Sequence, residues 1–280
     1  MKKNQSLVLD VGIILVIYFV FLLVQTHSVG RAAFSFTDEG VYLYAAKLIT
    51  QGYVPYRDFF LGHFPFLIYA NAAIMLTVKS NMIVYHWVYT AWTLSLVIPL
   101  YFTIKKLTEN RSAAVLSLVV LAGFTEMMQW DMHYFAIRQA SLPFLAWALL
   151  FLTYRKLTPT AFLLALFSIC LATNIVLSVA LVASYLLLEY VFNRKKLNFR
   201  EFVVPALMFL VIVGSQFLIL WLIPNGIKNV LGFQIDRGSV GLLGRFSEII
   251  EVIPKNWPIF LFGLAGIFRL QEKYGLSGGL

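Results

Sequence analysis

The chain has 280 residues, 60% of them hydrophobic and only 12% charged, with a mean hydropathy of +0.82. That balance excludes a soluble domain of this length, which needs a polar shell over its core. The formal net charge of +9 does not indicate a nucleic-acid partner, because the cations sit in short clusters between apolar runs, as the positive-inside rule describes.

Apolar runs near twenty residues, the length that crosses about 30 Å of hydrocarbon, recur without the alternation of strands. The fold class is therefore all-α, a polytopic integral membrane protein, read as a single membrane domain over 1–280. The predicted spans are 7–26, 82–103, 112–130, 135–154, 160–174, 176–192, 201–223 and 256–271, about eight in all. Lys2-Lys3 before the first run resembles a signal-peptide start. Residues 7–26 are long for a signal h-region and many spans follow, so an uncleaved first helix with a cytoplasmic amino terminus is expected.

The loop 27–81 then lies outside. Lys105-Lys106 and Arg111, Arg155-Lys156, and Arg194 to Arg200 fall on the cytoplasmic side. Residues 64–78 are short for a crossing and are predicted to form a helix in the outer interface. The run 160–192 is divided near Thr173-Asn174, since one helix of that length would reach about 50 Å. A second long outer loop covers 224–255. Of the thirteen acids, Asp38, Glu39, Asp58, Glu126, Asp131, Asp236, Glu248 and Glu251 fall on the outer side. Polar chemistry is thus concentrated there. Cys170 lies inside an apolar run and carries no redox signal. Phosphate-binding glycine loops and the usual zinc spacings do not occur.

The first outer loop is the polar island. Thr37-Asp38-Glu39 precedes a helical pattern with Val41, Tyr44, Ala45 and Leu48 on one stripe, ended by Gly52 and Pro55. Read structurally, Thr37 caps the helix and the acids complement its positive end. Read functionally, a carboxylate fixed at the membrane surface acts as general base on an acceptor hydroxyl. Arg57, Asp58 and His63 form the second half of the island, with anchoring at headgroup depth as the plain alternative. Three acids and a His on one loop could also hold a divalent metal ion, although no fixed ligand spacing supports one.

Further along, Trp130, Asp131, His133 and Arg138 gather at the outer ends of two spans. Arg138 either faces the protein interior and pairs, or snorkels towards the headgroups. Lys228, Arg237, Arg245 and Lys255 lie on the glycine-rich outer loop, which can bind a lipid phosphate or serve as a solvated connector. Asn174 is expected to hydrogen-bond between helices.

A cytoplasmic start, one span, Asp38-Glu39 before a Tyr/Ala helix, and then Gly52-x-x-Pro55-Tyr56-x-Asp58-Phe59-Phe60 resemble membrane glycosyltransferases of the GT-C fold. Within them the likeness is to the protein O-mannosyltransferase and aminoarabinose-transferase superfamily. It covers 36–66 strongly and continues, mainly in span order, to about 223. His63-Phe64-Pro65 stands where the family usually has His/Lys-Pro-Pro. The resemblance implies a polyprenyl-phosphate-linked sugar donor, a lipid, glycan or protein acceptor, and membrane lipids around the site. It also implies Asp38 as the catalytic carboxylate, with Glu39 and Asp58 supporting it. His63, Arg57, Arg138, Arg237 and Lys228 are the candidates for binding substrate and lipid phosphate. Family members carry about eleven or more spans, so a C-terminally incomplete chain is expected. The alternative reading is a transporter or lipid flippase of the cell envelope, which predicts ionisable groups near the bilayer midplane and pseudo-symmetric halves.

Overall fold

A computed structural model describes residues 2–31, 38–79, 81–124, 137–154, 156–171, 199–230 and 232. Its regular elements are helices: α1 (Lys2–Arg31), α2 (Asp38–Thr50), α3 (Phe66–Val78), α4 (Met82–Leu94), α5 (Val97–Thr108), α6 (Arg111–Phe124), α7 (Ile137–Thr153), α8 (Leu157–Leu171) and α9 (Phe199–Leu222). No strand occurs among the described residues. Among the described residues, three stretches are long and apolar enough to cross a membrane: Ser6–Gln25, Met82–Thr108 and Val203–Leu222. The predicted spans 176–192 and 256–271, the break near Thr173-Asn174, and Arg237 lie outside the described residues.

Two boundaries differ from expectation. The first helix runs on to Arg31 rather than ending near 26, so the start of the expected outer loop is helical. The second span extends to Thr108 and is divided at Ser95-Leu96. Pro99 accounts for the division. A proline has no N–H for the carbonyl four residues back, and its ring crowds that carbonyl. The carbonyl is that of Ser95, which accepts instead from the Ile98 amide at 3.2 Å, three residues on.

Charged contacts fix the direction of the helices. Asp10, on the first turns of α1 and 2% exposed, accepts from Tyr101 Oη at 3.0 Å and from Arg111 Nε at 2.7 Å, and pairs with Lys105 Nζ. Arg111 also donates to Ser6 Oγ at 2.6 Å. The start of α1, the end of α5 and the start of α6 therefore share one end of the bundle. Lys106 lies 5.8 Å from the Tyr154 ring, which brings the end of α7 there too. At the opposite end, Phe64 packs edge-on against Phe217 of α9, 5.3 Å between centroids. Cys170 of α8, Leu220 and Val230 join the same apolar cluster as α2, α3 and the connecting loop. Lys2-Lys3, Lys105-Lys106, Arg111, Lys156 and Arg200 thus gather at a basal end. The 38–81 segment occupies the other, loop end.

Among the described residues, buried side chains gather in three apolar clusters. One joins α2, the 51–65 loop, α3 and α4, and a second joins α1, α5 and α6 with α7. The third seals α7 and α8 onto α9. Leu7, Val8, Val16, Leu23 and Val24 on α1, and Leu210, Val211, Trp221 and Leu222 on α9, remain exposed. Such wide apolar surfaces suit hydrocarbon surroundings rather than water.

Candidate functional site

Helix α2 is described from Asp38 onward, Thr37 lying outside the described residues, and it ends through a glycine. Gly52 has φ +92°, a backbone angle open to glycine at little cost. Its N–H donates to Ile49 O at 2.9 Å while Tyr53 N–H reaches Leu48 O at 3.1 Å. These two bonds close a Schellman motif.

The stripe read from the sequence is buried only in part, at Ala45 and partly at Leu48. Val41 and Tyr44 are exposed, whereas Glu39, Tyr42, Leu43, Ala45 and Ala46 are buried. Residues three and four apart share a helix face, so Glu39, Tyr42, Leu43 and Ala46 form one stripe. Small Ala46 permits close approach, and the two polar members of the stripe each find a partner inside the fold. Glu39 Oε1 lies 3.1 Å from His86 Nε2 on α4, with both side chains almost fully buried. Tyr42 Oη lies 3.2 Å from His63 Nε2, their rings 5.6 Å apart and edge-to-face.

The connecting loop is built to hold His63. Tyr56 adopts φ +66°, a conformation that a residue with a side chain adopts at some cost in strain. The reversal turns its ring inward, and its buried hydroxyl donates to the His63 carbonyl. Burial first, and then the nearby Tyr69 phenol, push the Tyr56 hydroxyl above its ordinary pKa. The Tyr56 amide donates to Phe59 O at 2.8 Å, and Pro55 and Phe59 are bridged. One residue on, the chain faces outward.

Arg57 Nε and Nη2 hold Asp58 Oδ1 and Oδ2 at 2.9 and 2.8 Å, and the Val54 amide donates to Asp58 Oδ2 at 2.7 Å. The guanidinium contact first, and the backbone amide second, lower the Asp58 carboxyl from 3.8 to about 2. The same pairing raises Arg57.

The predicted site residues therefore fall into separate groups. Glu39, on the α2 stripe, and His63, against Tyr42 of that stripe, are both buried. Arg57 and Asp58 pair with each other on the exposed surface. Asp38 is the first residue of α2 and Arg138 the second of α7. Lys228 is exposed on the helical turn after α9, two residues before Val230, which packs into the loop-end cluster. Among the described residues, no three His, Cys, Asp or Glu side chains come together to hold a metal ion.

Sequence reasoning missed His86, Tyr42 and Tyr85. His86 is an ionisable residue inside a predicted span, a placement that marks a functional candidate by itself. Tyr85 donates to Asn71 Oδ1 at 3.1 Å, tying α3 to α4 one residue before His86. Asp10 also went unremarked, although it stands within the first predicted span.

The buried carboxylate of Glu39 is suited to hold position rather than to meet an acceptor. Glu39 and His86 are 5% exposed or less. A general base needs hydrogen-bond reach to an incoming hydroxyl, which such burial denies. No family model, curated protein or solved structure matches the chain.

Proposed function

We propose that the chain is a polytopic, GT-C-like glycosyltransferase of the cell membrane that moves a sugar from a polyprenyl-phosphate donor to an acceptor at the extracytoplasmic face, with inversion. About eight spans and a cytoplasmic amino terminus belong to this reading. The observation that carries it is the segregation of the bundle. The basic clusters gather at the basal end, and the buried polar stripe of α2 stands at the loop end, directly beside Asp38. Under the positive-inside rule the basal end faces the cytoplasm, which turns the stripe outward, where a lipid-linked sugar rather than a nucleotide sugar is the available donor.

In this reaction Asp38 takes the proton of the acceptor hydroxyl as its oxygen bonds to the anomeric carbon. The bond from that carbon to the phosphate oxygen breaks, and polyprenyl phosphate leaves. Direct displacement needs one base, unlike the paired carboxylates of a glycosidase. Position at the first turn of α2 favours an ionised Asp38, because the helix N-terminus carries partial positive charge. Lys228, Arg138 and Arg237 supply cations for the leaving phosphate, the electrostatic role such groups play in transfer. The acceptor, whether lipid, glycan or protein, approaches from the outer face.

Transfer of radiolabel from polyprenyl-phosphate mannose, glucose and aminoarabinose in membranes tests the reading. Wild type transfers label from at least one donor, and Asp38→Asn at matched expression loses at least about a hundredfold of the rate, within the usual worth of a general base. Full activity in a folded Asp38→Asn would refute the assignment of the base.

A further inference from the structure

We propose that His86 is the positioning residue of this site: through Glu39 it fixes the first turn of α2, and hence Asp38, against the long α4–α5 span. The proposal rests on the transferase reading for its kinetic consequence and on geometry alone for the tie itself.

Helix α2 packs chiefly on α3, which is itself short and joined to α4 through Asn71 and Tyr85. The Tyr42–His63 contact leads back into the 51–65 loop. The Glu39–His86 bond links α2 directly to a helix of spanning length. A carboxylate that is 2% exposed is strongly disfavoured unless a donor meets it. In so dry a setting a satisfied hydrogen bond is strong and directional. The chain places Glu39 next to Asp38, so any rotation of the first turn that moved Glu39 off His86 would swing Asp38 with it. Misplacing a catalytic group by about 1 Å costs on the order of a hundredfold in rate. His86 never touches substrate on this account; it acts through Glu39.

The tie also explains why α4 presents His86 beside Tyr85. Adjacent residues at the loop end of one span hold two different short helices, α3 through Asn71 and α2 through Glu39. The two short helices are thereby set against a single rigid element.

The test uses the full chain in detergent with four proteins: wild type, His86→Leu, His86→Gln and the double variant Glu39→Leu/His86→Leu. Gln keeps an N–H donor for the carboxylate, and the apolar pair removes the buried charge together with its partner, which buried pairs often tolerate. Hydrogen exchange across residues 42–50 reads the tie without any turnover. It is expected to quicken about tenfold or more in His86→Leu and the double variant, with α7 and α8 unchanged, and to stay near wild type in His86→Gln. With the polyprenyl-phosphate donor that wild type uses, kcat is expected to fall roughly 10- to 100-fold in the same two variants while donor KM moves less than about threefold. His86→Gln should keep most of the rate. Undisturbed exchange in both leucine variants would overturn the proposal, as would loosened exchange with unchanged kcat. A wild type that transfers no sugar would count against the transferase reading, and the exchange measurement would still decide the tie.

Discussion

Asp58 shows how a single side chain can be satisfied without entering the site. Its carboxyl, lowered to about 2 by Arg57 and the Val54 amide, contributes order to the turn as long as it is ionised. The folded value lies below the ordinary one, so the contribution is present above about pH 4 and is lost as pH falls through 2. Exposure limits its worth, as for other surface ion pairs. Proteolysis around Arg57, followed from pH 5 to pH 2, is expected to quicken below pH 3 in wild type. Asp58→Asn should show the faster cleavage at pH 5, with the two rates converging towards pH 2. Equal cleavage rates for both proteins at pH 5 would contradict this account of the turn.

Asp10 belongs to the same scale. Replacing it with Ala strips Lys105 and Arg111 of a buried carboxylate they share. A loss of about 2 kcal/mol is expected, less than for a wholly buried pair because both cations reach solvent. Thermal unfolding in detergent checks it, and Asp10→Ala unfolding at the wild-type temperature would argue against the network.

At the scale of elements, the sequence was legible where one residue type dictates local geometry. Gly52 closes α2, and Pro65 opens α3 in the position where its missing N–H costs nothing. Gly52→Ala should destabilise by about 1 kcal/mol, since an alanine at φ +92° is strained whatever surrounds it; chemical denaturation reads the difference, and an unchanged midpoint would contradict the strain argument. The break at Ser95-Leu96 was equally readable in principle from Pro99, but the apolar run continues through it and masks the signal.

What periodicity could not supply was the choice of buried face. Val41 and Tyr44 are as apolar as the residues that are buried, so hydrophobicity alone does not select between neighbouring stripes. The selection comes from partners distant in the chain, His63 for Tyr42 and His86 for Glu39. A pairing across 47 residues leaves no trace in local spacing. Glu39, Asp58 and His63, close together in the sequence, likewise part in three dimensions: Glu39 meets His86, His63 meets Tyr42, and Asp58 pairs with Arg57 at the surface. The left-handed turn at Tyr56 sends successive side chains to opposite sides.

For the whole molecule, the arrangement of charges makes a claim about sidedness. Lys106 at the basal end and Phe60 in the loop-end segment should lie on opposite faces of a membrane. With Cys170, buried and the sole native cysteine, replaced by Ala, a Phe60→Cys variant should react with an impermeant thiol reagent in intact cells. Lys106→Cys should react only after the membrane is opened. Reaction of both in intact cells would invert or abolish the proposed orientation.

The central claim is that a carboxylate at the start of α2 deprotonates an acceptor while a lipid phosphate departs. Radiolabel transfer from polyprenyl-phosphate sugars, compared between wild type and Asp38→Asn at equal folded amount, tests it most directly. The account predicts transfer by wild type and its near-complete loss in the variant. Transfer that persists at the wild-type rate in Asp38→Asn, or that is absent from a folded wild type given the matching donor, would contradict it.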